Sequence, residues 1–342
     1  MLMIGVAGTA LTRREAGWLA QPSVAGVLLF ARNFTSRGQL SALCAAIHAA
    51  GGEQSLIAVD QEGGPVQRFR AGFTRLPPLA AIGAVYDRDP AEAVRLAEDH
   101  AWIMASELRA SGVDFSFAPV VDLARGNAAI GMRAFHADPG VTSELAQAYV
   151  RGMHLAGMAA VLKHFPGHGS TPADTHSAEA VDPRPLQAIR DADLLPFQDC
   201  IAAHVEAVMM AHVIYPEVDT RPAGYSPLWI KHILRDELGF AGAVISDDIG
   251  MSAAATAGTI GQRVQAHLEA GCDLVLACAP DVVPEAITAM PEMPVRSPTA
   301  LPVTLAALRG ELGATWDELT DNPQRDRLVA RVSALAPASG QA

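Results

Sequence analysis

The amino-acid sequence predicts a single-domain α/β protein, a closed (β/α)8 TIM barrel over residues 1–336 followed by a disordered tail over 337–342. Eight apolar, β-branched runs of strand length alternate with longer segments of helical period. Continuous apolar runs are typical of strands buried on both faces, and their alternation with helices favours a parallel sheet. The chain has no internal repeat, low-complexity block or linker that would divide it into two domains.

The predicted strands, in chain order, are Met3–Ala7, Gly26–Phe30, Ser55–Asp60, Asp114–Val121, Ala159–Lys163, Ala207–His212, Ala243–Ser246 and Leu274–Cys278. A doubly wound open sheet is the alternative architecture. Its phosphate-binding fingerprint, GxGxxG, is missing after the first run, where residues 5–9 read GVAGT. The closed barrel is therefore favoured.

Helix-start signals lie between several of these strands, because Ser, Thr and Asp accept hydrogen bonds from the first N–H groups of a helix and proline fits its first turn. The predicted helices start at Asp89-Pro90 and end near Ala110, start at Thr142-Ser143 and end near Ala156, and start at Ser226-Pro227 and end at Leu238 before Gly239. After Cys278, prolines interrupt the pattern, and a terminal helical region is predicted within Leu312–Leu335.

Charge and composition exclude several classes of partner. The 342 residues include 25 Lys+Arg and 37 Asp+Glu, a net charge of −12, with no basic block, so we expect neither nucleic acid nor a membrane as a partner. No apolar run approaches the about 18 residues of a transmembrane helix. The four cysteines form no CxxC pair, and arginines follow the apolar N-terminal residues, the reverse of a signal peptide. The expected location is the cytoplasm.

Polar residues end five of the eight predicted strands: Asp60, Asp122, Lys163-His164, His212 and Asp247-Asp248. In a barrel of this type the active site lies at the carboxyl ends of the strands. Any one of these residues could simply satisfy backbone groups and cap the next helix. Five strands together indicate a functional site.

The segment from Lys163 to His176 contains three histidines in a Gly/Pro-rich loop and permits three interpretations. A metal site is disfavoured because the spacing matches no HExxH pair and a lysine would repel a cation. A serine hydrolase is disfavoured because Ser170 lacks a GxSxG elbow. A proton-transfer loop is favoured, since Asp174 stands two residues from His176 and can orient its imidazole.

A nucleophile is then needed from another strand. The apolar run at 243–245 ends in Ser246-Asp247-Asp248, which brings a carboxylate to the mouth of the barrel. A carboxylate there can attack an electrophilic carbon. We assign this role to Asp247, and capping or support to Asp248.

These motifs resemble glycoside hydrolase family 3, and within it the single-domain bacterial cytoplasmic β-N-acetylhexosaminidases that recycle the cell wall. The resemblance covers most of the chain. Its most specific element is the block KHFPGHG followed by a D-x-H triplet. The motifs, all in the family's order, are Val59–Gly64, Ile130–Phe135, Lys163–Gly169, Asp174–His176, Ala211–Pro216 and Ser246–Met251.

The resemblance implies a retaining double displacement. Asp247 would form a covalent glycosyl-enzyme, and His176, oriented by Asp174, would act as the acid and then the base. A histidine in this role departs from the usual pair of carboxyl groups but suits neutral pH. Sugar-binding residues carried over from the family are Asp60, Arg68, Arg133, Lys163 and His164, with His168 as loop scaffold.

The implied substrate is a muropeptide, with N-acetylglucosamine β-1,4-linked to 1,6-anhydro-N-acetylmuramic acid. No cofactor and no metal is expected, and the sequence is compatible with a monomer. Three departures from the family pattern stand out: Pro65 replaces a common Arg, Thr175 a common Ser, and Ile249-Gly250 a common Leu-Ser. Because proline removes a cation and a backbone donor, no contact is assigned to position 65.

Three alternative functions stay open from the sequence. A phosphorylase could use the same residues, because a histidine acid/base repels phosphate less than a carboxylate does. A β-glucosidase or xylosidase of the family is disfavoured, since those members usually carry a second domain and lack the KHFPGHG loop. A sugar-binding protein without catalysis is disfavoured by the presence of Asp247, Asp174 and His176 together.

Overall fold

The structure is a computed structural model that describes residues 1–171, 180–290, 302–311 and 313–335. Its centre is an eight-stranded parallel sheet. The strands are β1 (Leu2–Gly5), β2 (Val24–Leu29), β3 (Leu56–Val59), β4 (Phe115–Ser116), β5 (Val161–Phe165), β6 (Ala207–Met210), β7 (Ala243–Asp248) and β8 (Leu274–Ala277). Each overlaps one predicted run.

The sheet closes into a barrel. Its strand order is β4-β3-β2-β1-β8-β7-β6-β5, and every pairing is parallel. A parallel bridge between Val120 and Lys163 joins the two edges. The prediction of a (β/α)8 barrel is thereby confirmed, and the open-sheet alternative is wrong.

The fourth strand is shorter than predicted. Only Phe115–Ser116 pairs as a strand within the predicted run Asp114–Val121. Pro119 has no N–H to donate to a ladder, so regular pairing stops before it and only Val120 bridges to β5.

Helices surround the barrel and cover the apolar outer faces of the strands. They are α1 (Arg13–Leu19), α2 (Arg37–Gly51), α3 (Leu79–Tyr86), α4 (Pro90–Arg109), α5 (Pro139–Leu155), α6 (Leu186–Arg190), α7 (Leu194–Ala202), α8 (Ile260–Ala270), α9 (Val283–Ala289), α10 (Val303–Ala306), α11 (Trp316–Thr320) and α12 (Pro323–Ser333). A π-helix, Leu228–Glu237, covers the barrel between β6 and β7. None of the helices in these ranges has the length and apolar character of a membrane span.

The predicted helix starts are right in two cases and wrong in one. Helix α4 begins at Pro90, with the Asp89 carboxylate accepting from the Glu92 N–H at 3.0 Å. The π-helix follows Ser226-Pro227 as predicted. Helix α5 begins at Pro139, earlier than the predicted Thr142-Ser143. The reason is a second Asp-Pro pair, in which Asp138 accepts from the Val141 N–H at 3.0 Å.

The predicted terminal helical region contains α11 and α12. Helix α12 is held against α4 by charge pairs, with Arg325 2.6 Å from the buried Glu107 and Arg331 3.0 Å from Asp99. The predicted tail, 337–342, lies outside the described residues.

Two small sheets at the carboxyl end of the barrel were not predicted. One is a hairpin of Gln61–Gly63 and Val66–Gln67 that follows β3. The other joins Ala180–Val181, Val213–Tyr215 and Asp219–Pro222. Both belong to the loops that shape the mouth of the barrel, where enzymes of this fold place their active sites.

Candidate active site

A cavity of about 680 Å³ opens at the carboxyl end of the barrel. Six predicted site residues line it together: Asp60, Arg68, Arg133, Lys163, His164 and Asp247. They come from β5 and β7 and from the segments after β3 and β4, so the fold brings together side chains far apart in sequence. The other two predicted site residues, Asp174 and His176, lie outside the described residues.

Lys163 lies at the centre of a buried network of charges. Its ammonium nitrogen is 2.7 Å from Asp60 Oδ1 and 2.5 Å from Glu62 Oε1, and its side chain is only 2% exposed. Arg68 approaches the other oxygen of Asp60 at 3.6 Å. Burial raises the pKa of Asp60, but the attraction of Lys163 and Arg68 outweighs it, and the pKa is lowered overall. Asp60 is therefore ionised at neutral pH.

Glu62 joins the network to Arg133 and was not assigned from the sequence. Arg133 Nε and Nη2 donate to the two carboxylate oxygens of Glu62, each at 2.8 Å. Burial opposes ionisation, but Lys163 and Arg133 together lower the pKa of Glu62 to about 2. A paired fork of this kind fixes the guanidinium plane. Glu62 thus holds two of the predicted sugar-binding cations in place.

The hairpin after β3 explains how Glu62 reaches this position. Its turn starts at Gly63 and Gly64, with φ of 97° and 54°, a region that other residues rarely adopt. A Cβ on Gly63 would lie 2.6 Å from the Pro77 carbonyl oxygen. Glu62 lies within the motif Val59–Gly64, but only Asp60 directly follows the strand. Pro65, the departure from the family pattern, is exposed in this turn and lines the cavity.

Asp122 anchors the segment that carries the histidines. Its Oδ1 accepts from the backbone N–H groups of His164, at 3.2 Å, and His168, at 2.7 Å. Its Oδ2 lies 2.7 Å from His164 Nδ1. Burial would raise the pKa of Asp122, but His164 and these donors lower it to about 2. The polar end of the fourth predicted strand is thus a support for His164.

Asp247 and Asp248, adjacent on β7, have different surroundings. Asp247 lines the cavity, and its Oδ1 accepts from the Asp248 N–H at 2.8 Å. Asp248 Oδ1 accepts from the backbone N–H groups of Gly250, at 3.0 Å, and Cys278, at 3.1 Å. Burial, with Asp247 beside it, raises the pKa of Asp248. Asp248 therefore supports the loop and the end of β8. It does not cap the next helix, Ser252–Ala257, which has no side-chain cap.

His212 lies two residues after β6 and does not line the cavity. Its Nε2 is 3.2 Å from the Asp248 carbonyl oxygen, to which it donates. Its ring also packs 5.4 Å from that of His267. Burial lowers the pKa of His212, so it is neutral at neutral pH. It supports the strand that carries Asp247.

His168 is also buried, with its Nδ1 3.1 Å from Asn127 Nδ2, which ties the loop after β5 to the loop after β4. That contact suits the scaffold role predicted for it. Within the described ranges, no group of three His, Cys, Asp or Glu residues is arranged to hold a metal ion.

Residues 1–294 match the model of the glycosyl hydrolase family 3 N terminal domain. This chain belongs to glycosyl hydrolase family 3. A beta-hexosaminidase of Stenotrophomonas maltophilia (strain R551-3) is 59% identical over 319 residues, which are 93% of this chain and 94% of that protein. A beta-hexosaminidase of Xylella fastidiosa (strain 9a5c) is 56% identical over 332 residues, 97% of this chain and 98% of that protein.

Among solved structures, NagZ from Neisseria gonorrhoeae in complex with N-trifluoroacetyl-D-glucosamine matches with a TM-score of 0.91 and 39% identity, over 98% of both chains. The resemblance drawn from the sequence motifs is therefore confirmed. The family match, the closed barrel and the cavity at its carboxyl end make this chain a glycoside hydrolase.

Proposed function

We propose that the protein is a retaining β-N-acetylglucosaminidase that removes non-reducing N-acetylglucosamine from muropeptides in cell-wall recycling. The observation that carries the proposal is the single cavity lined by Asp60, Arg68, Arg133, Lys163, His164 and Asp247. The names of the relatives, beta-hexosaminidases and a NagZ bound to an N-acylated glucosamine, support the N-acetyl specificity.

In the proposed reaction, Asp247 attacks the anomeric carbon and displaces the aglycone. His176 protonates the leaving oxygen, and Asp174 orients its imidazole. Water then hydrolyses the glycosyl-aspartate, with His176 taking a proton from that water. The roles of His176 and Asp174 rest on the sequence motif, since both residues lie outside the described part of the chain.

The charged network supplies the proposed sugar-binding site. A carboxylate such as Asp60 accepts from hydroxyl groups, while Arg68, Arg133 and Lys163 donate to hydroxyl and acetamido oxygens. The same cations give local positive potential for an anionic muropeptide in a chain whose net charge is −12. The substrate in this proposal is N-acetylglucosamine β-1,4-linked to 1,6-anhydro-N-acetylmuramic acid. The enzyme would act on it in the cytoplasm. The four buried free cysteines suit a reducing compartment.

The first experiment measures nitrophenol release from an aryl β-N-acetylglucosaminide, with the aryl β-glucoside beside it. Wild type should turn over the N-acetyl substrate, and Asp247→Ala should abolish that turnover. Azide should restore release by Asp247→Ala and give the α-glycosyl azide, because a small anion can then attack the face that the carboxylate occupied. No turnover by folded wild type, on the aryl substrate or on muropeptide, would leave a sugar-binding protein as the better interpretation.

The neighbouring carboxylate provides the matched control. Asp248→Ala should lower stability by loss of its two backbone contacts but should retain covalent labelling by a fluorinated sugar. Labelling that survives in Asp247→Ala and disappears in Asp248→Ala would reverse the assignment.

Product analysis in phosphate buffer distinguishes hydrolysis from the remaining alternative, phosphorolysis. The proposal expects free N-acetylglucosamine. Sugar 1-phosphate as the main product would make the protein a phosphorylase with the same residues.

A further inference from the structure

His164 presents a ring nitrogen, Nε2, to the cavity. Whether Nε2 carries a proton depends on the partner of the other ring nitrogen, Nδ1. Its Nδ1 lies 2.7 Å from Asp122 Oδ2, while the ring itself lines the cavity. Within the described residues, Nε2 of His164 has no hydrogen-bond partner. Nε2 is therefore the polar atom that a bound sugar meets.

The partners of Asp122 decide which nitrogen of His164 carries the proton. Asp122 is fully buried and accepts two backbone N–H groups at Oδ1, so it is held as an acceptor. An ionised carboxylate can only accept, and so His164 Nδ1 must donate. In the neutral ring the lone pair then resides on Nε2.

We propose that Asp122 is a positioning residue that fixes the Nδ1–H tautomer of His164, so that Nε2 accepts a hydrogen bond from a sugar hydroxyl. This inference rests on the proposed function for its ligand, an N-acetylglucosaminide. It adds an acceptor to a cavity whose cationic groups can only donate. Asp60, the nearby carboxylate, already contacts Lys163 and Arg68.

Asp122→Asn inverts this arrangement with almost no change of shape. The two backbone N–H groups at Oδ1 require an acceptor there, so the carbonyl oxygen of asparagine occupies that position. The amide NH2 then faces His164 Nδ1 and donates to it. The proton of the ring moves to Nε2, which becomes a donor facing the cavity.

The tautomer can be measured without any substrate. Nitrogen-15 NMR of histidine-labelled protein at neutral pH should give the Nδ1–H pattern for His164 in wild type and the Nε2–H pattern in Asp122→Asn. The signal is assigned among the 11 histidines by its loss in His164→Ala. A wild-type ring in the Nε2–H form, or protonated on both nitrogens, would overturn the proposal whether or not Asp122→Asn folds.

Kinetics test the consequence for the sugar. Asp122→Asn should lower kcat/KM about tenfold, because the sugar hydroxyl loses the acceptor it donates to and must rotate to accept from Nε2–H instead. Three substrates, the 3-, 4- and 6-deoxy aryl N-acetylglucosaminides, identify the bound hydroxyl. Wild type should have a lower kcat/KM for the one that lacks this hydroxyl than for the full substrate. For Asp122→Asn the kcat/KM values of these two substrates should be nearly equal. In a His164→Ala background, Asp122→Asn should change kcat/KM by less than about twofold.

A matched control lies at the other end of the same segment. Asp114, buried like Asp122, accepts from the Ile57 N–H at 2.8 Å and lies at the amino end of β4, and it does not line the cavity. Asp114→Asn should leave kcat/KM and the His164 signal unchanged. A full effect of Asp122→Asn in the His164→Ala background would show that Asp122 acts by another route. Absence of wild-type turnover would instead count against the proposed function, because the NMR measurement does not depend on activity.

Discussion

The replacement of Glu62 by glutamine tests the charge network most directly. Glu62 is 2% exposed, and its carboxylate contacts the Lys163 ammonium and two guanidinium nitrogens of Arg133. The fall of its pKa from 4.5 to about 2 corresponds to roughly 3 kcal/mol of stability at neutral pH. Removal of one partner of a buried ion pair lowers the free energy of unfolding by a comparable amount, about 3–5 kcal/mol, because the remaining charges stay buried without compensation.

The dependence on pH follows from the direction of that shift. The carboxyl group has a lower pKa in the folded state, so its contribution is complete above the unfolded value of 4.5 and disappears as the pH falls towards 2. The difference in unfolding free energy between wild type and Glu62→Gln should therefore stay constant from pH 8 to about 5 and shrink at lower pH.

Urea unfolding followed by tryptophan fluorescence measures this difference. Glu92→Gln is the matched control, because Glu92 also contacts two arginines, Arg95 at 2.8 Å and Arg331 at 3.0 Å, but is 31% exposed. It should cost less than about 1 kcal/mol. KM of Glu62→Gln should also rise, since Lys163 and Arg133 lose their common anchor. A Glu62→Gln protein as stable as Glu92→Gln would show that Glu62 does not compensate the buried charges of Lys163 and Arg133.

Three further predictions concern the supports of the barrel. Gly83→Ala should destabilise the protein by more than about 3 kcal/mol in urea unfolding, because its Cβ would lie 1.8 Å from the Phe135 carbonyl oxygen. Burial lowers the pKa of His100 from 6.5 to about 4, so stability should fall between those pH values, and His100→Gln should flatten that part of the pH–stability curve. Arg325→Ala leaves the buried Glu107 without its 2.6 Å cation and should cost about 2 kcal/mol or more by thermal or urea unfolding, with kcat unchanged.

The barrel was predictable because its strands are buried on both faces. Such strands are apolar at nearly every position, and this pattern can be recognised in the sequence without knowing which strands pair. Helix α5 was placed too late because two start signals compete in its sequence. The Asp138-Pro139 pair offers both a cap and a first-turn proline, whereas Thr142-Ser143 offers only hydroxyl groups.

The site was predictable where function and strand ends coincide. Asp60 directly follows β3, Lys163 and His164 lie on β5, Asp247 lies near the end of β7, and the structure places all four in one cavity. Glu62 was missed because it lies on a hairpin beyond the strand, and its importance depends on Arg133, 71 residues away. Partners so distant in sequence are invisible until the fold is known.

The buried charges also explain how an acidic protein can keep cations in a sugar-binding cavity. A lysine with a 2% exposed side chain cannot remain charged alone, because the loss of its hydration would cost too much. Asp60 and Glu62 offset that cost and fix the ammonium between them at 2.7 and 2.5 Å. Arg68 is different, since its only ion pair is at 3.6 Å within the described residues and its side chain is 33% exposed. Arg68 is therefore held less rigidly in the cavity than Lys163 and Arg133, whose charge partners lie within 2.8 Å.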